Sequence, residues 1–338
     1  MHYYITGHTG FKGAWLTQIL VSQGHSVSGQ SLDPIDGSLF DLAHLGELVE
    51  FDHRIDIRDA QATQTAMTQA QPDVVIHLAA QPLVRASYED PKETFSTNVM
   101  GTMNVLDAVT GTNSVKASLI ITTDKVYKNV NQLAGYREDD PLGGDDPYSA
   151  SKAMADILTQ SWVKSFDSPP TAIARAGNVI GGGDISRDRL IPDLISAFES
   201  EMPALIRYPD AVRPWQHVLD CLNGYQLLIA ELLAGNGAGA WNFGPPDSSV
   251  VSVAEVADLT AQAWGGGASW HSDGSQQPHE AALLALNSDK SRRGLSWGDK
   301  LKVAEAVKWT VDWENQRAGG RPAREICANQ IADFFDRC

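Results

Sequence analysis

A glycine-rich turn near the start of the chain constrains the fold more than any other feature. Residues 5–13 read ITGHTGFKG and place Gly7, Gly10 and Gly13 between a short apolar segment and a helix-like segment. Glycines here allow a tight turn, in which backbone N–H groups and the positive end of a helix approach a pyrophosphate. The chain is therefore predicted to begin with a strand, a phosphate-binding turn and a helix.

Strand-like and helix-like segments go on alternating through the first half of the chain. Alternation of this kind is typical of βαβ units, so we expect an α/β fold with a parallel sheet. The predicted strands are 3–6, 26–32, 74–78, 117–122 and 172–175, and the predicted helices include 15–23 and 98–109.

The texture of the sequence changes at about residue 178, where the Gly-rich stretch GNVIGGGD begins. Short elements punctuated by proline follow, with a helix predicted around 219–233. We expect a nucleotide-binding domain at 1–177 and a substrate-facing lobe at 178–338, with part of 215–250 returning to the first sheet. A linker at 317–322 is expected to precede a final helix.

Composition excludes several classes of partner. The 338 residues include 26 basic and 42 acidic ones, a net charge of −16, which disfavours nucleic acid or an anionic membrane as a partner. The three cysteines, Cys221, Cys327 and Cys338, have no CxxC spacing, so neither a disulfide framework nor a metal site is indicated. The chain enters its first strand at once, and no apolar run has membrane-spanning length, so we expect a cytoplasmic protein.

Further segments fit a dinucleotide along the edge of the predicted sheet. Asp56 and Ile57 lie where a loop could hold an adenine, and HLAAQ (77–81) ends the fourth strand with small residues. We interpret His77 itself as a core residue. The cofactor contacts expected are Gly7, Thr9, Gly10, Phe11, Lys12, Gly13, Asp56, Ile57, Leu78, Ala79, Ala80, Gln81, Thr97, Tyr148 and Lys152.

The sequence leaves the choice between NAD and NADP open on chemistry alone. Ser31 stands where a carboxylate for the ribose is expected, and Asp33 follows two residues later. Lys12 could instead approach a 2′-phosphate.

A second motif, PYSASK, places Tyr148 and Lys152 one helical turn apart. A nearby ammonium favours the phenolate, so we expect Lys152 to lower the pKa of Tyr148 and the pair to deprotonate a substrate alcohol during hydride transfer. Thr123 is expected to bind the same hydroxyl. Thr122 is the alternative, but neighbouring strand residues face opposite ways.

These motifs together resemble the extended short-chain dehydrogenase/reductase family, and within it the CDP-glucose 4,6-dehydratases, over nearly the whole chain. The similar segments are TGHTGFKG, HLAAQPLVRASYEDP, TNVMGT, DKVY, GYREDDPLGGDDPYSASKA, RAGNVIGGGD, DRLIPD and PDAVRPWQHVLD. The sequence departs from the family pattern at Ile185, where tryptophan is usual, and at Ala281 and Leu283. All three lie in the substrate half, so they bear on which nucleotide sugar is bound.

The resemblance implies a doubly wound, Rossmann-type NAD domain, a smaller sugar-nucleotide lobe and a homodimer joined through helices. It also implies oxidation at C4 of the hexose, loss of water across C5 and C6, and return of the hydride to C6. Related dTDP-glucose enzymes carry Asp-Glu where this chain has Asp124 and Lys125. Asp124 would be the acid and Lys125 the C5 base or its electrostatic support, with His279 and Glu280 as alternative bases.

The diphosphate and sugar of the substrate need a few local cations in this acidic chain. We expect Asn178, Arg189 and Arg213 to bind them, with Arg85, Ser87 and His217 as further candidates; Trp215 and Trp241 are expected in the core. Two alternatives to a CDP-glucose dehydratase stay open. One is a sugar-nucleotide 4-epimerase, and the other is a non-catalytic NAD-sensing protein.

Overall fold

The computed structural model describes residues 1–132, 134–246, 250–272 and 284–337. Its strands are β1 His2–Thr6, β2 Ser26–Ser31, β3 Asp52–Arg54, β4 Val74–His77, β5 Ala117–Ile121, β6 Thr171–Ala176, β7 Asn178–Ile180, β8 Ala204–Leu205, β9 Val212–His217, β10 Gly239–Phe243, β11 Val250–Ser252 and β12 Trp270–His271. Each of the five predicted strands occurs, and its ends lie within one residue of the expected positions.

Within the described residues, seven parallel strands form the main sheet in the order β10-β6-β5-β4-β1-β2-β3. The chain first adds strands on one side of β1 and then crosses to β4 on the other side. This reversal creates a switch point between β1 and β4, where the carboxyl ends of the strands leave a crevice for a ligand. The predicted doubly wound parallel sheet is confirmed.

Helices cover both faces of this sheet and also pack against the smaller sheets of the second half. They are α1 Phe11–Ser22, α2 Leu39–Leu42, α3 Ala60–Ala70, α4 Val84–Glu89, α5 Pro91–Phe95, α6 Thr102–Thr110, α7 Pro147–Ser165, α8 Leu190–Glu199, α9 Val218–Leu233, α10 Val253–Trp264, α11 Asp289–Gly294, α12 Val303–Ala318 and α13 Ala323–Phe335. A π-helical segment, Ser96–Gly101, leads directly into α6, so the helix predicted at 98–109 begins with wider turns.

Alternation of side chains along the strands divides the core into two layers. On β1, Ile5 faces a large cluster that includes Trp15 of α1 and Leu222 of α9. The neighbouring residue Tyr4 faces a smaller cluster that includes Val105 of α6. The glycine turn is therefore held between two packed layers of helix and sheet.

The second half of the chain contributes to both parts of the molecule. Strands β11, β9 and β7 form a separate three-stranded sheet, and β8 pairs with β12. Strand β10 pairs with β6 in the main sheet, within the range 215–250 for which such a return was expected. Helix α13 also packs against α1, because its apolar residues Ile326 and Phe334 are buried in the same cluster as that helix. The return to the first half is therefore larger than the sequence indicated.

None of the helices in the described part of the chain is long and apolar enough to span a membrane.

Candidate active site

The glycine turn follows β1 and closes on itself so tightly that only glycine fits. Gly7 has a φ of +78°, and a Cβ atom there would lie 2.7 Å from the Ala79 nitrogen. A Cβ on Gly13 would lie 2.2 Å from the Gly7 carbonyl oxygen. Helix α1 begins directly after Gly10, so its free N–H groups face the turn. This cradle suits a pyrophosphate group at the switch point of the sheet.

One cleft of about 1220 Å³ opens from this turn toward the second half of the chain. All fifteen expected cofactor contacts line it, from Gly7 in the turn to Lys152 on α7. Thr9 hydrogen-bonds Ser31 (2.6 Å) at the end of β2, and Asp33 also lines this part of the cleft. Asp56 pairs with Arg58 at 2.5 Å.

Asn98 positions the loop after β4 and was missed from the sequence. Its side-chain oxygen accepts from the Gln81 nitrogen at 2.8 Å, and its nitrogen donates to Ser151 of α7, also at 2.8 Å. Asn98 is only 1% exposed, and it lies in the π-helical segment. In the sequence, the polar residue Asn98 at the start of an otherwise apolar-periodic helix was the feature that could have indicated this role.

His77 is a core residue, as expected. Its two ring nitrogens are hydrogen-bonded to Thr6 (2.7 Å) and Thr102 (3.0 Å). Burial lowers its pKa to about 3, so it is a neutral part of the core.

Lys12 points from the glycine turn toward α9. Its Nζ atom lies 3.4 Å from the Tyr225 hydroxyl and 5.8 Å from the centre of that ring. Its charge also acts on Lys152, whose pKa it helps to lower. Lys12 therefore faces the inner part of the cleft.

The structure separates the two threonines that follow β5. Thr122 donates to Asp156 (3.2 Å) on the buried side of α7. Thr123 hydrogen-bonds the side chain of Tyr148 and donates to Asp124 Oδ1 at 2.9 Å. Thr123 is thus the threonine that faces Tyr148.

Tyr148 and Lys152 lie on one face of α7, which begins at Pro147 and is capped by Asp146. Tyr148 is partly exposed to the cleft, yet burial raises its pKa to about 12, although the Thr123 hydrogen bond and the charge of Arg189 lower it. Lys152 Nζ donates to the Ile121 carbonyl at 2.7 Å. Burial and then Lys12 lower the pKa of Lys152 to about 8. The expectation of a lowered pKa for Tyr148 is therefore wrong, because burial outweighs the favourable charges.

Asp124 and Lys125 both reach the cleft from the short helical turn after β5. The Asp124 side chain is 1% exposed and lies 3.6 Å from Lys125 Nζ, whereas Lys125 is 26% exposed. Asp124 Oδ2 is buried and has no hydrogen-bond partner among the described residues. It faces Gly177, where a Cβ atom would lie 3.3 Å away. An unpartnered buried carboxylate oxygen can exchange a proton with a bound molecule.

Four of the six candidate substrate contacts line the cleft. Arg189 pairs with Asp184 at 3.0 Å. Arg85 lies 3.4 Å from Asp188. The four residues that line the cleft are Arg85, Asn178, Arg189 and Arg213.

Ser87 and His217 lie elsewhere. Ser87 is fully buried, accepts from the Tyr148 nitrogen (3.1 Å) and donates to the Val84 carbonyl. The buried His217 caps α9 by accepting from Leu219. Neither lines the cleft, so neither is placed to bind substrate directly.

Four further residues of the second half of the chain lie in the cleft or in the core. Arg207, which was missed, lines the cleft and pairs with Asp188 at 2.6 Å. Ile185 lines the cleft and is 44% exposed. Trp215 and Trp241 are core residues, as expected. The positions His279, Glu280, Ala281 and Leu283 fall outside the described residues.

Comparison with known proteins identifies the family. Residues 3–244 match the model of the NAD dependent epimerase/dehydratase family. The chain is 42% identical to the CDP-glucose 4,6-dehydratase of Salmonella typhimurium, over 98% of this chain and 95% of that protein. The protein belongs to the NAD dependent epimerase/dehydratase family, and NAD is its cofactor.

Solved structures share the fold at low sequence identity. The UDP-glucuronic acid 4-epimerase of Bacillus cereus, in complex with UDP-glucuronic acid and NAD, superimposes with a TM-score of 0.82 at 23% identity, covering 94% of this chain and 100% of that one. The dTDP-glucose 4,6-dehydratase of Bacillus anthracis, in complex with NAD, gives 0.80 at 20% identity, covering 94% and 98%. The glycine cradle of this chain, which any Cβ would fill, fits the pyrophosphate of that cofactor.

Proposed function

We propose that the protein is a hydro-lyase that converts CDP-glucose into CDP-4-keto-6-deoxyglucose and water, as a step in deoxysugar biosynthesis. The 42% identity to the Salmonella typhimurium enzyme over nearly the whole of both chains carries this proposal. The cleft supports it, because an acid and an amine lie directly beside the tyrosine and lysine expected to act on a sugar hydroxyl.

The first step would use Tyr148, Thr123 and Lys152. NAD, when bound, would supply a hydride acceptor for C4 and a hydride donor for C6. Tyr148 would take the proton of the C4 hydroxyl, and Thr123 would hold that hydroxyl in place through its own hydrogen bond. Lys152, fixed to the Ile121 carbonyl, would supply a positive charge that favours the phenolate while it stays protonated.

The second step would use Asp124 and Lys125. A ketone at C4 makes the C5 proton acidic, so Lys125 could remove it while Asp124 gives a proton to the departing C6 hydroxyl. One water leaves, and a C5–C6 double bond remains until hydride adds at C6 and a proton at C5. The proton needed by the leaving group fits the unpartnered Asp124 Oδ2.

Substrate binding would depend on the cations that line the cleft. Arginine binds phosphate oxygens in a bidentate manner, which suits Arg85, Arg189 and Arg213 to the diphosphate. Asn178, on β7, would contact the sugar or the adjacent phosphate. The domain division at residue 177 belongs to this proposal, with 1–177 holding NAD and the lobe of 178–338 holding the nucleotide sugar.

The product assay tests this function. Purified protein is incubated separately with CDP-glucose, dTDP-glucose and UDP-glucose, and the products are followed by mass spectrometry. Loss of one water from CDP-glucose in preference to the others is the expected result. Water loss from another nucleotide glucose would keep the reaction and correct the substrate, and an unchanged mass with inversion at C4 would indicate a 4-epimerase.

We also propose a cytoplasmic homodimer. Met154 and Ile157, three residues apart on α7, are 48% and 52% exposed. Met100, on the π-helical segment that packs against α7, is 48% exposed. Apolar side chains grouped on adjacent helices favour a partner surface, and a second copy of this chain would present the same surface. The described cysteines are free thiols, which suits a reducing compartment.

A further inference from the structure

A buried ion pair lies behind the turn at residues 122–127, which carries Thr123, Asp124 and Lys125. Asp156 of α7 and Arg175 of β6 are both fully buried, and two hydrogen bonds of 2.8 Å join their side chains. Replacing such a pair by well-packed apolar residues is often neutral or stabilising. Stability alone therefore does not explain why two charges occupy this position.

Two hydrogen-bond partners of the pair lie on either side of Asp124 and Lys125. Asp156 accepts from Thr122 (3.2 Å), which precedes Thr123 in the chain. Arg175 donates to the hydroxyl of Tyr127 at 2.8 Å, and its guanidinium lies 5.0 Å from the centre of that ring. The two ends of the turn at 122–127 are thus fixed to the same buried pair.

The pair also reaches the catalytic helix and the second half of the chain. Asp156 lies one helical turn after Lys152 on α7. Tyr127 donates in turn to Asn242 (2.7 Å) of β10. Arg175 lies two residues before Gly177, the residue that faces the unpartnered oxygen of Asp124.

We propose that Asp156 and Arg175 are positioning residues of the active site. They hold the turn at 122–127 against α7, so that Thr123 and Asp124 face Tyr148 and the substrate. The inference deepens the proposed function and rests on it.

The Asp156 carboxylate also affects the pKa of Lys152. The charged or titratable groups around Lys152 are Lys12, His77, Tyr148 and Asp156. Burial and Lys12 lower the pKa of Lys152, and Asp156 opposes both. Loss of the carboxylate would lower that pKa further, so Lys152 would lose its proton at a lower pH.

The test compares Asp156→Asn with a control variant on β6, the strand that carries Arg175. Thr171→Val removes a buried hydrogen bond (2.7 Å to Ser118) at the opposite end of β5 and β6, away from the cleft. We expect Asp156→Asn to lower kcat for CDP-glucose about 100-fold, because small misplacements of catalytic groups have effects of this size. Its KM changes little, and the high-pH limb of its kcat profile moves down by about one pH unit. Thr171→Val keeps the parent kcat and pH profile.

A milder variant, Thr122→Val, and hydrogen exchange test the same inference if Asp156→Asn folds poorly. Thr122→Val removes only the bond from the turn to Asp156 and should lower kcat about 5-fold. Amide hydrogen exchange of the peptide covering 119–128 should be faster in Asp156→Asn and in Thr122→Val than in the parent, and unchanged in Thr171→Val. This measurement does not depend on turnover. Parent-like kcat, pH profile and exchange in Asp156→Asn would overturn the inference. An inactive parent would overturn the proposed function alone, and the exchange data would still decide this inference.

Discussion

Single side chains in the cleft carry separate steps of the proposed reaction. Tyr148 lies beside Thr123, whereas Asp124 and Lys125 lie on the adjacent turn, so the redox and elimination groups are neighbours without being the same residues. Variants of the two sets should therefore fail in different ways.

Tyr148→Phe removes the hydroxyl that would accept the C4 proton and leaves the ring. Turnover should fall about 10²- to 10⁴-fold, the range for loss of a general base. NAD binding, measured by calorimetry, should stay near the parent value. Tyr3→Phe, a change of the same kind on β1 outside the cleft lining, serves as the control. Parent-like turnover in Tyr148→Phe would show that another group accepts the proton.

Lys125→Ala should separate oxidation from elimination. If Lys125 takes the C5 proton, C4 oxidation still occurs and the enzyme accumulates NADH and the 4-keto nucleotide sugar. Stopped-flow absorbance of reduced cofactor should then rise without decaying. Lys128→Ala changes an exposed lysine three residues further along the chain and should behave like the parent. Equal loss of both steps in Lys125→Ala would assign this lysine to the architecture of the site.

At the scale of secondary-structure elements, the turn between β1 and α1 shows how geometry dictates sequence. Gly7 and Gly24 have nearly the same φ, +78° and +79°, but only Gly7 has neighbours within 4 Å of a Cβ atom. The two glycines therefore separate backbone strain from a steric clash.

Gly24→Ala should cost about 1 kcal/mol of stability, the penalty for a side chain at positive φ. Gly7→Ala should cost more, because the new methyl group would collide with the Ala79 backbone, and it should weaken NAD binding. Thermal unfolding and calorimetry measure the two effects. Equal losses of stability and unchanged NAD binding in both variants would contradict the close fit of the cradle.

Secondary-structure elements and local motifs could be predicted from the sequence because they depend on residues close together in the chain. Strands such as β5 are short, largely apolar segments buried on both faces, and such segments are easily recognised in a sequence. Strand β3, Asp52–Arg54, was missed because it is three polar residues at the sheet edge. Tyr148 and Lys152 were found because they are one helical turn apart. The Asp156–Arg175 pair and the contact of Lys12 with Tyr225 were missed, because residue spacing does not indicate which distant polar groups meet.

At the scale of the whole molecule, two buried carboxylates lie close together where α9 meets the segment before α12. Asp220 accepts from the backbone nitrogen of Lys300 at 2.6 Å. Burial raises the pKa of Asp220 to about 7 and that of Asp299 to about 6. Both groups bind protons more tightly in the folded than in the unfolded chain. Their contribution to stability is therefore greatest at low pH and is lost as the pH rises from about 4 toward 7.

Asp299→Asn should remove part of the stability loss that the parent shows as the pH rises. We expect the variant to unfold at a higher temperature than the parent at pH 8, with a gain on the order of 2 kcal/mol, and to show little gain at pH 5. Scanning calorimetry at the two pH values measures the difference. Asp333→Asn, an exposed change on α13, should show no such dependence. A gain for Asp299→Asn that was larger at pH 5 would contradict the assignment.

The proposed dimer has its own test. Ile157→Glu places a charge in the exposed apolar group on α7 and should produce monomers, because a buried, unpaired carboxylate opposes association. Met202→Glu, at a residue that is 62% exposed outside the helices of that surface, should leave the dimer intact. Sedimentation velocity measures both, and a parent protein that is monomeric at micromolar concentration would reject the proposal.

Deuterium incorporation during turnover of CDP-glucose in heavy water distinguishes dehydration from epimerisation. Dehydration removes the C5 proton and later replaces it from solvent, whereas oxidation and reduction at C4 alone leave C5 untouched. The proposed dehydratase function predicts a 4-keto-6-deoxy product with one deuterium at C5, located by NMR, and a C6 hydrogen transferred from C4. A C4 epimer without deuterium at C5, or no product from CDP-glucose, would contradict it.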